Sequence, residues 1–253
     1  MAATTEQEPK LRGDSAVDPR DDKRGPKVRA MFAGIARKYD LLNRIISGGR
    51  DQAWRKRTVR MAQLKGGERV LDVCCGTGDL ALMFHRRKPK PIEVIASDFT
   101  PEMLVIAKQK ADKAGVPLPL AAADALHLPF PDASFDVVSV GYGVRNFQDL
   151  DAGLREIRRV LRPGGRAVIL EFAMPENVLI RAGYRLYTEV VLPRLGTWIS
   201  RDRTGAYRYL PRSIAGFERR EAMLGRMTQA GFSSTTSRAM NMGSVVIYKG
   251  VVA

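Results

Sequence analysis

Short apolar runs closed by a turn or a carboxylate recur through the middle of the chain, with amphipathic stretches between them. They fall at Val70 to Cys75, Ile92 to Ser97, Leu118 to Ala122, Phe135 to Val140 and Arg166 to Phe172. Runs of this length, bounded by turn signals, predict buried strands. Between them, Asp79–Arg87, Pro101–Ala114 and Asp151–Leu161 have helical character. Pro101 stands in the first turn of its helix, where its missing N–H costs nothing, and Pro163-Gly164-Gly165 ends the third helix. Phe217–Ala230 adds a helix, and Phe232–Arg238 with Ser244–Val251 reads as a closing antiparallel pair. The alternation predicts an α/β fold, a doubly wound, seven-stranded and mostly parallel sheet.

Two regions lie outside this rhythm. Residues 1–29 mix both charges with Pro and Gly and have no apolar core, so a disordered tail is expected ahead of a single domain over 30–253. Ala30 to Leu42 repeats Met31, Phe32, Ile35, Ala36 and Tyr39 at helical spacing, and Trp54–Met61 reads as a basic helix. The second region, 177–213, interrupts the strand pattern as a lid-like insertion. From Arg181 to Arg220 there are nine arginines, no lysine and three acids, with Tyr184, Tyr187, Trp198, Tyr207 and Tyr209 interleaved.

Candidate chemistry concentrates at Val70-Leu71-Asp72-Val73-Cys74-Cys75-Gly76-Thr77-Gly78-Asp79-Leu80, a strand, a glycine turn and a helix start. Gly76 and Gly78 let backbone approach a ligand closely. Twenty residues past Gly78, Asp98 ends the second strand, where a carboxylate accepts hydrogen bonds from ribose hydroxyls. Gly76 to Ala81 also satisfies the dinucleotide fingerprint, but Asp72 sets a negative charge close to where a pyrophosphate would lie. That charge suits the cationic methionine end of S-adenosylmethionine. Asp124 follows the third strand at the same sheet edge, placed either to take an adenine amino group or to cap a turn.

Composition narrows the rest. No stretch of about 18 uninterrupted apolar residues occurs, so no membrane span is expected. The two cysteines are adjacent, Cys74 and Cys75, and the two histidines are His85 and His127; no metal site is supported. The cysteines lie on the glycine-loop strand and read as small buried residues rather than nucleophiles. A formal net charge of +15 favours an anionic partner, either acidic lipid headgroups or nucleic acid.

Four stretches then carry a resemblance: Ala36-Arg37-Lys38-Tyr39-Asp40 with Asn43, the Gly76–Leu80 loop, Val144-Arg145-Asn146, and Tyr207-Arg208-Tyr209-Leu210 with Ser213-Ile214. Leu170-Glu171-Phe172 and Val191-Leu192-Pro193-Arg194 match in place. From Val28 to Val251 the chain resembles the ubiquinone/menaquinone biosynthesis C-methyltransferase family. The resemblance implies a Rossmann-like class I fold, S-adenosylmethionine as cofactor, and methylation of a ring carbon of a prenylated quinol. It implies a cytoplasmic enzyme peripheral to the inner face of the membrane and leaves homo-oligomerisation open, with no nucleic-acid partner. Asp72, Gly76, Thr77, Gly78, Asp98, Phe99, Asp124, Ala125 and Gly141 would bind cofactor, and Arg145, Asn146 and Tyr39 would serve the quinol. In this family Ser-Phe-Gly-Leu commonly stands where this chain has Gly141-Tyr142-Gly143-Val144. Menaquinone and ubiquinone branches stay open. The rival readings are an RNA or protein methyltransferase with the same cofactor, and a non-catalytic nucleotide-binding protein.

Overall fold

The computed structural model describes residues 25–88, 92–191 and 206–253. The expected tail up to residue 24 and the centre of the insertion, with Arg194, Trp198, Arg201 and Arg203, lie outside the described residues.

The sheet is built from β1 (Glu68–Val73), β2 (Ile92–Asp98), β3 (Leu120–Ala122), β4 (Phe135–Gly141), β5 (Leu161–Phe172), β6 (Ser234–Met240) and β7 (Val245–Val251). Their order is β3-β2-β1-β4-β5-β7-β6. β1 to β5 pair in parallel, and β7 and β6 close the edge antiparallel. Strand order reverses between β1 and β4, and an open α/β sheet binds ligands outside the carboxyl ends of its strands at such a switch point.

Alternation along β1 explains why both faces are covered. Val70, with Val94, Val137 and Val168, packs under α4 (Asp79–His85) and α3 (Asp51–Met61) through Leu80, Phe84 and Val59. Leu71 and Val73, with Ile95, Val138 and Ile169, face Leu154 and Ile157 of α6 (Leu150–Val160) and the methionines Met223 and Met227 farther along. Successive side chains point to opposite faces, so one apolar run supplies two cores.

The remaining elements are α1 (Gly25–Ile35), a 3₁₀ turn Ala36–Lys38, α2 (Tyr39–Ser47), α5 (Pro101–Lys113), a 3₁₀ turn Val144–Asn146, α7 (Val178–Leu186), a π-helical turn Tyr187–Val191, α8 (Ala206–Ala215) and α9 (Arg220–Gln229). α1 begins at Gly25, so residues 25–29, read as tail from the sequence, are helical. β5 begins at Leu161 rather than Arg166, because Leu161 already pairs with Phe135 before the register shifts. Among the described residues no helix is long and apolar enough to cross a membrane.

Candidate active site

The loops after β1 and β4 meet at the switch point in a tight backbone contact. A Cβ on Gly143 would lie 2.6 Å from Cys74 Cβ, so only glycine fits there. Cys74 (φ 53°) and Tyr142 (φ 61°) both adopt left-handed backbone, an unfavourable state that clusters at functional sites. Across from them the Gly76 N–H donates to Asp98 Oδ2 and the Thr100 N–H to Asp98 Oδ1, each at 2.8 Å. Burial pushes the Asp98 carboxyl up, and these backbone donors oppose that rise.

A cavity opens over this loop. Cys74, Gly76, Asp98, Phe99, Asp124, Ala125 and Gly141 form its sheet side, and Gly25, Arg29, Phe32 and Tyr39 cover it. Of the cofactor residues expected from the sequence, Gly76, Asp98, Phe99, Asp124, Ala125 and Gly141 therefore meet on one wall. Asp124 Oδ1 also accepts the Leu126 N–H at 2.9 Å, so capping and lining coexist in one side chain.

Three expected residues sit elsewhere. Gly78 (φ +81°) brings α4 against α5, where a Cβ would stand 3.1 Å from Ala107 Cβ. Thr77 is buried, and its hydroxyl donates to Asp40 Oδ1 at 2.6 Å. Asp72 is buried beneath the loop, where its Oδ1 accepts from Ser139 Oγ at 2.6 Å and its Oδ2 has no hydrogen-bond partner among the described residues. Burial raises its pKa to about 7, with Ser139 and Arg55 acting against the rise. Any influence of Asp72 on a ligand in the cavity is thus through its field, not through contact.

The cavity fits adenosylmethionine better than a dinucleotide. Burial together with the carboxylates of Asp98, Asp72, Glu171 and Asp124 pushes the Cys74 thiol well up. The raised thiol pKa leaves Cys74 a poor nucleophile. In the cavity wall itself, the carboxylates of Asp98 and Asp124 repel phosphate and favour a sulfonium and an ammonium. Asp98 would hold the ribose and Asp124 the adenine amine, with Phe99 and Ala125 providing apolar wall.

A second, more apolar cavity adjoins the first, and Phe32, Tyr39 and Tyr142 line both. Ile35, Asn43, Ile46, Arg145, Phe172 and Tyr209 complete much of its wall. Arg145 is 4% exposed; its Nη1 donates to Glu171 Oε1 at 2.7 Å and to the Tyr142 carbonyl at 2.6 Å. Burial works against its charge, but Glu171, Tyr39 and Tyr209 outweigh it and raise the pKa, so Arg145 stays a cation. Asn146 lines the first cavity and accepts from the Tyr209 hydroxyl at 2.9 Å. Three residues of the second cavity carry buried polar atoms without a hydrogen-bond partner among the described residues: Asn43 Nδ2, Tyr142 Oη and Arg145 Nε.

A model of the ubiE/COQ5 methyltransferase family matches residues 20–252. The chain belongs to this family. A demethylmenaquinone methyltransferase of Thermus thermophilus is 50% identical over 203 residues, 80% of this chain and 91% of the relative. A ubiquinone/menaquinone biosynthesis C-methyltransferase UbiE of Geobacter sulfurreducens is 40% identical over 231 residues, 90% and 89% of the two chains. Among solved structures, a SAM-dependent methyltransferase of Aquifex aeolicus superposes with a TM-score of 0.59 at 16% identity, covering 85% of this chain and 98% of that one; it bears on fold alone. The chain is an S-adenosylmethionine-dependent methyltransferase, which sets aside the non-catalytic reading.

Sequence reasoning gave no role to Arg55 or Glu171 and, of the cavity cover, named only Tyr39 as a site residue. Arg55 counted toward a basic helix, yet it is buried, with its guanidinium 5.4 Å over the Tyr142 ring. Spacing to Trp54 and Thr58, both also buried, was the available signal.

Two outcomes follow from the cavity floor. Asp98→Ala removes the Gly76 tether together with a carboxylate placed to accept from a ribose, and is expected to weaken adenosylmethionine binding by about 1.5–3 kcal/mol, measured by calorimetry. For Asp72 the folded pKa of about 7 lies above the unfolded value near ~3.9. The native state therefore binds the extra proton, and stability falls as pH rises from ~4 through about 7, by roughly 4 kcal/mol in total. Asp72→Asn should flatten that loss, so its melting temperature relative to wild type should be higher at pH 8 than at pH 5.

Proposed function

We propose that this enzyme methylates a ring carbon of a prenylated quinol, the step named for its demethylmenaquinone and ubiquinone/menaquinone relatives. The observation that carries the reading is the second cavity. It is mostly apolar, it shares Phe32, Tyr39 and Tyr142 with the cofactor cavity, and its walls include Asn43, Tyr142 and Arg145, each with a buried polar atom that has no hydrogen-bond partner among the described residues. A hydroquinone offers a flat apolar ring with two oxygens to meet such groups, whereas an unpaired buried donor costs free energy.

Bound adenosylmethionine supplies an electrophilic methyl group. What the chain must supply is alignment and a carbon made nucleophilic by loss of a phenolic proton. A free phenol ionises near ~10, and a neighbouring cation lowers that value. Arg145 is that cation. Its guanidinium cannot act as the base, since it stays charged, but it can donate to the forming phenolate or to a water that carries the proton away. Glu171 holds it through Nη1, and Phe172 lies under it, 5.6 Å from ring centroid to Cζ. Tyr39 and Asn146 orient the ring from the cofactor side.

Peripheral attachment to an anionic membrane belongs to the same reading. α7 turns Val178, Leu179 and Leu186 outward, 73%, 83% and 63% exposed, beside Arg185. Apolar side chains next to cations suit a headgroup layer. Flotation with acidic liposomes should fall as salt is added; retention of RNA without flotation would favour a nucleic-acid substrate instead.

The catalytic test uses single-turnover methylation of a short-chain quinol across pH. Arg145→Ala should lose about 10²–10³ in kcat, with adenosylmethionine affinity near wild type. Because the substitution strands Glu171 in the interior, Arg145→Ala with Glu171→Gln keeps the fold testable. In both variants the rise of rate with pH should shift to higher pH, as the phenol loses its neighbouring cation. Full rate in the double variant would remove Arg145 from the reaction.

A further inference from the structure

A polar cluster at the edge of the cofactor cavity has no part in the chemistry above. On α5, Lys110 Nζ reaches Asp40 Oδ2 at 2.5 Å, Asp79 Oδ1 at 2.6 Å and Thr77 Oγ1 at 2.9 Å. Thr77 Oγ1 in turn donates to Asp40 Oδ1 at 2.6 Å. An ammonium has three hydrogens, and here they join three separate pieces of chain: α2, the glycine loop, and the first residue of α4.

Two of these pieces are rigid. Ala107, one turn before Lys110 on the same side of α5, packs directly against Gly78, and the loop is tied to Asp98. The third is weakly anchored. No side chain of α1 is buried, Ala36 is the only buried one in the following 3₁₀ turn, and none of the described side chains of α2 is buried. Apolar burial holds an element in proportion to the area removed from water, so half-buried side chains such as Phe32, Ile35 and Ile46, with the Tyr187 hydroxyl donating to the Ile46 carbonyl at 3.1 Å, hold this segment less firmly than a buried core would. Yet it carries Tyr39, which lines both cavities and places Cε1 3.8 Å from where a Cβ on Gly76 would lie.

We propose that Lys110 is a positioning residue for methyl transfer: by clamping Asp40 to the glycine loop and α4, it sets Tyr39 at the junction of the cofactor and acceptor cavities. Nothing about Lys110 itself touches the reacting groups. Its side chain is 26% exposed and Asp40 27%, so the clamp is reachable by water and ions. A misplacement of one ångström at a reacting centre costs on the order of 10²-fold in rate, which is the scale on which loss of the clamp should register.

The kinetic arm rests on the quinol reading; the exchange arm does not. Lys110→Met keeps the stem and removes the charge. Hydrogen exchange by mass spectrometry should then speed up across Ala36–Asn43 while α5 and β1 stay protected, and Lys110→Arg should restore much of the protection. With a short-chain quinol, Lys110→Met should lose about 10- to 100-fold in kcat while adenosylmethionine affinity changes less than about threefold. In a Tyr39→Ala background the same substitution should cost little more, because the clamp acts through that ring. Unchanged exchange in Ala36–Asn43, or an equal kcat loss with and without Tyr39, would overturn the proposal. A wild-type enzyme that fails to methylate any quinol overturns the substrate reading, and the exchange comparison still decides on the clamp.

Discussion

The site depends first on one carboxylate. Asp98 accepts from the Gly76 amide with one oxygen and from the Thr100 amide with the other, which ties the glycine loop after β1 to the end of β2. The Cys75 N–H adds a bond to the Ser97 carbonyl at 2.9 Å, so the loop is fixed to the neighbouring strand on successive residues. A loop held this way presents backbone to a ligand without the entropy cost of ordering on binding. It also concentrates negative charge. Asp98 beneath Gly76, Asp72 under the loop and Asp124 across the cavity are felt together at Cys74, whose thiol they help to keep protonated. One carboxylate thus both sets the backbone geometry of the loop and contributes to the negative charge that faces the ligand.

The strands were legible because this sheet is covered on both faces. Val70 to Val73 had to be apolar at every position except one, and the exception, Asp72, marks the switch point. Ends were read less well. Pro163-Gly164-Gly165 looked like a stop between helix and strand, but β5 carries it as an irregularity between Leu161 and Arg166. The glycine loop and the turn after β3 could be read as one wall because both stand at carboxyl ends of parallel strands. The cavity cover could not, since Gly25 and Arg29 belong to a stretch whose composition resembles a tail, although the structure has it in α1.

Pairing between distant residues was the part the linear chain concealed. Arg145 was recognisable as a candidate from its place after β4, but its partner could be known only from the sheet. Glu171 lies on β5, whose neighbour is β4, and Leu170 of β5 pairs with Gly141. Arg55 was hidden in the opposite way. A helix with Arg55, Lys56, Arg57 and Arg60 reads as a charged face, and only the spacing of Arg55 to Trp54 and Thr58 hints at which of the cations turns inward beside Asp51.

The arrangement of charge also fits the proposed reaction in a way that neither cavity alone would show. Carboxylates gather on the cofactor side, and the buried cation Arg145 stands on the acceptor side. Methyl transfer from a sulfonium to a phenolate-activated ring removes charge as it proceeds, so stabilising both ions fully would favour the ground state over the transition state. Arg145 is not a bare cation, however. One nitrogen is committed to Glu171 and to the Tyr142 carbonyl, which draws off much of its field. A tempered donor of that kind can favour loss of the phenolic proton without holding the resulting anion so firmly that it ceases to be a nucleophile. The remaining acceleration must then come from alignment, which is a matter of how Tyr39, Tyr142 and the glycine loop hold the two cavities in register.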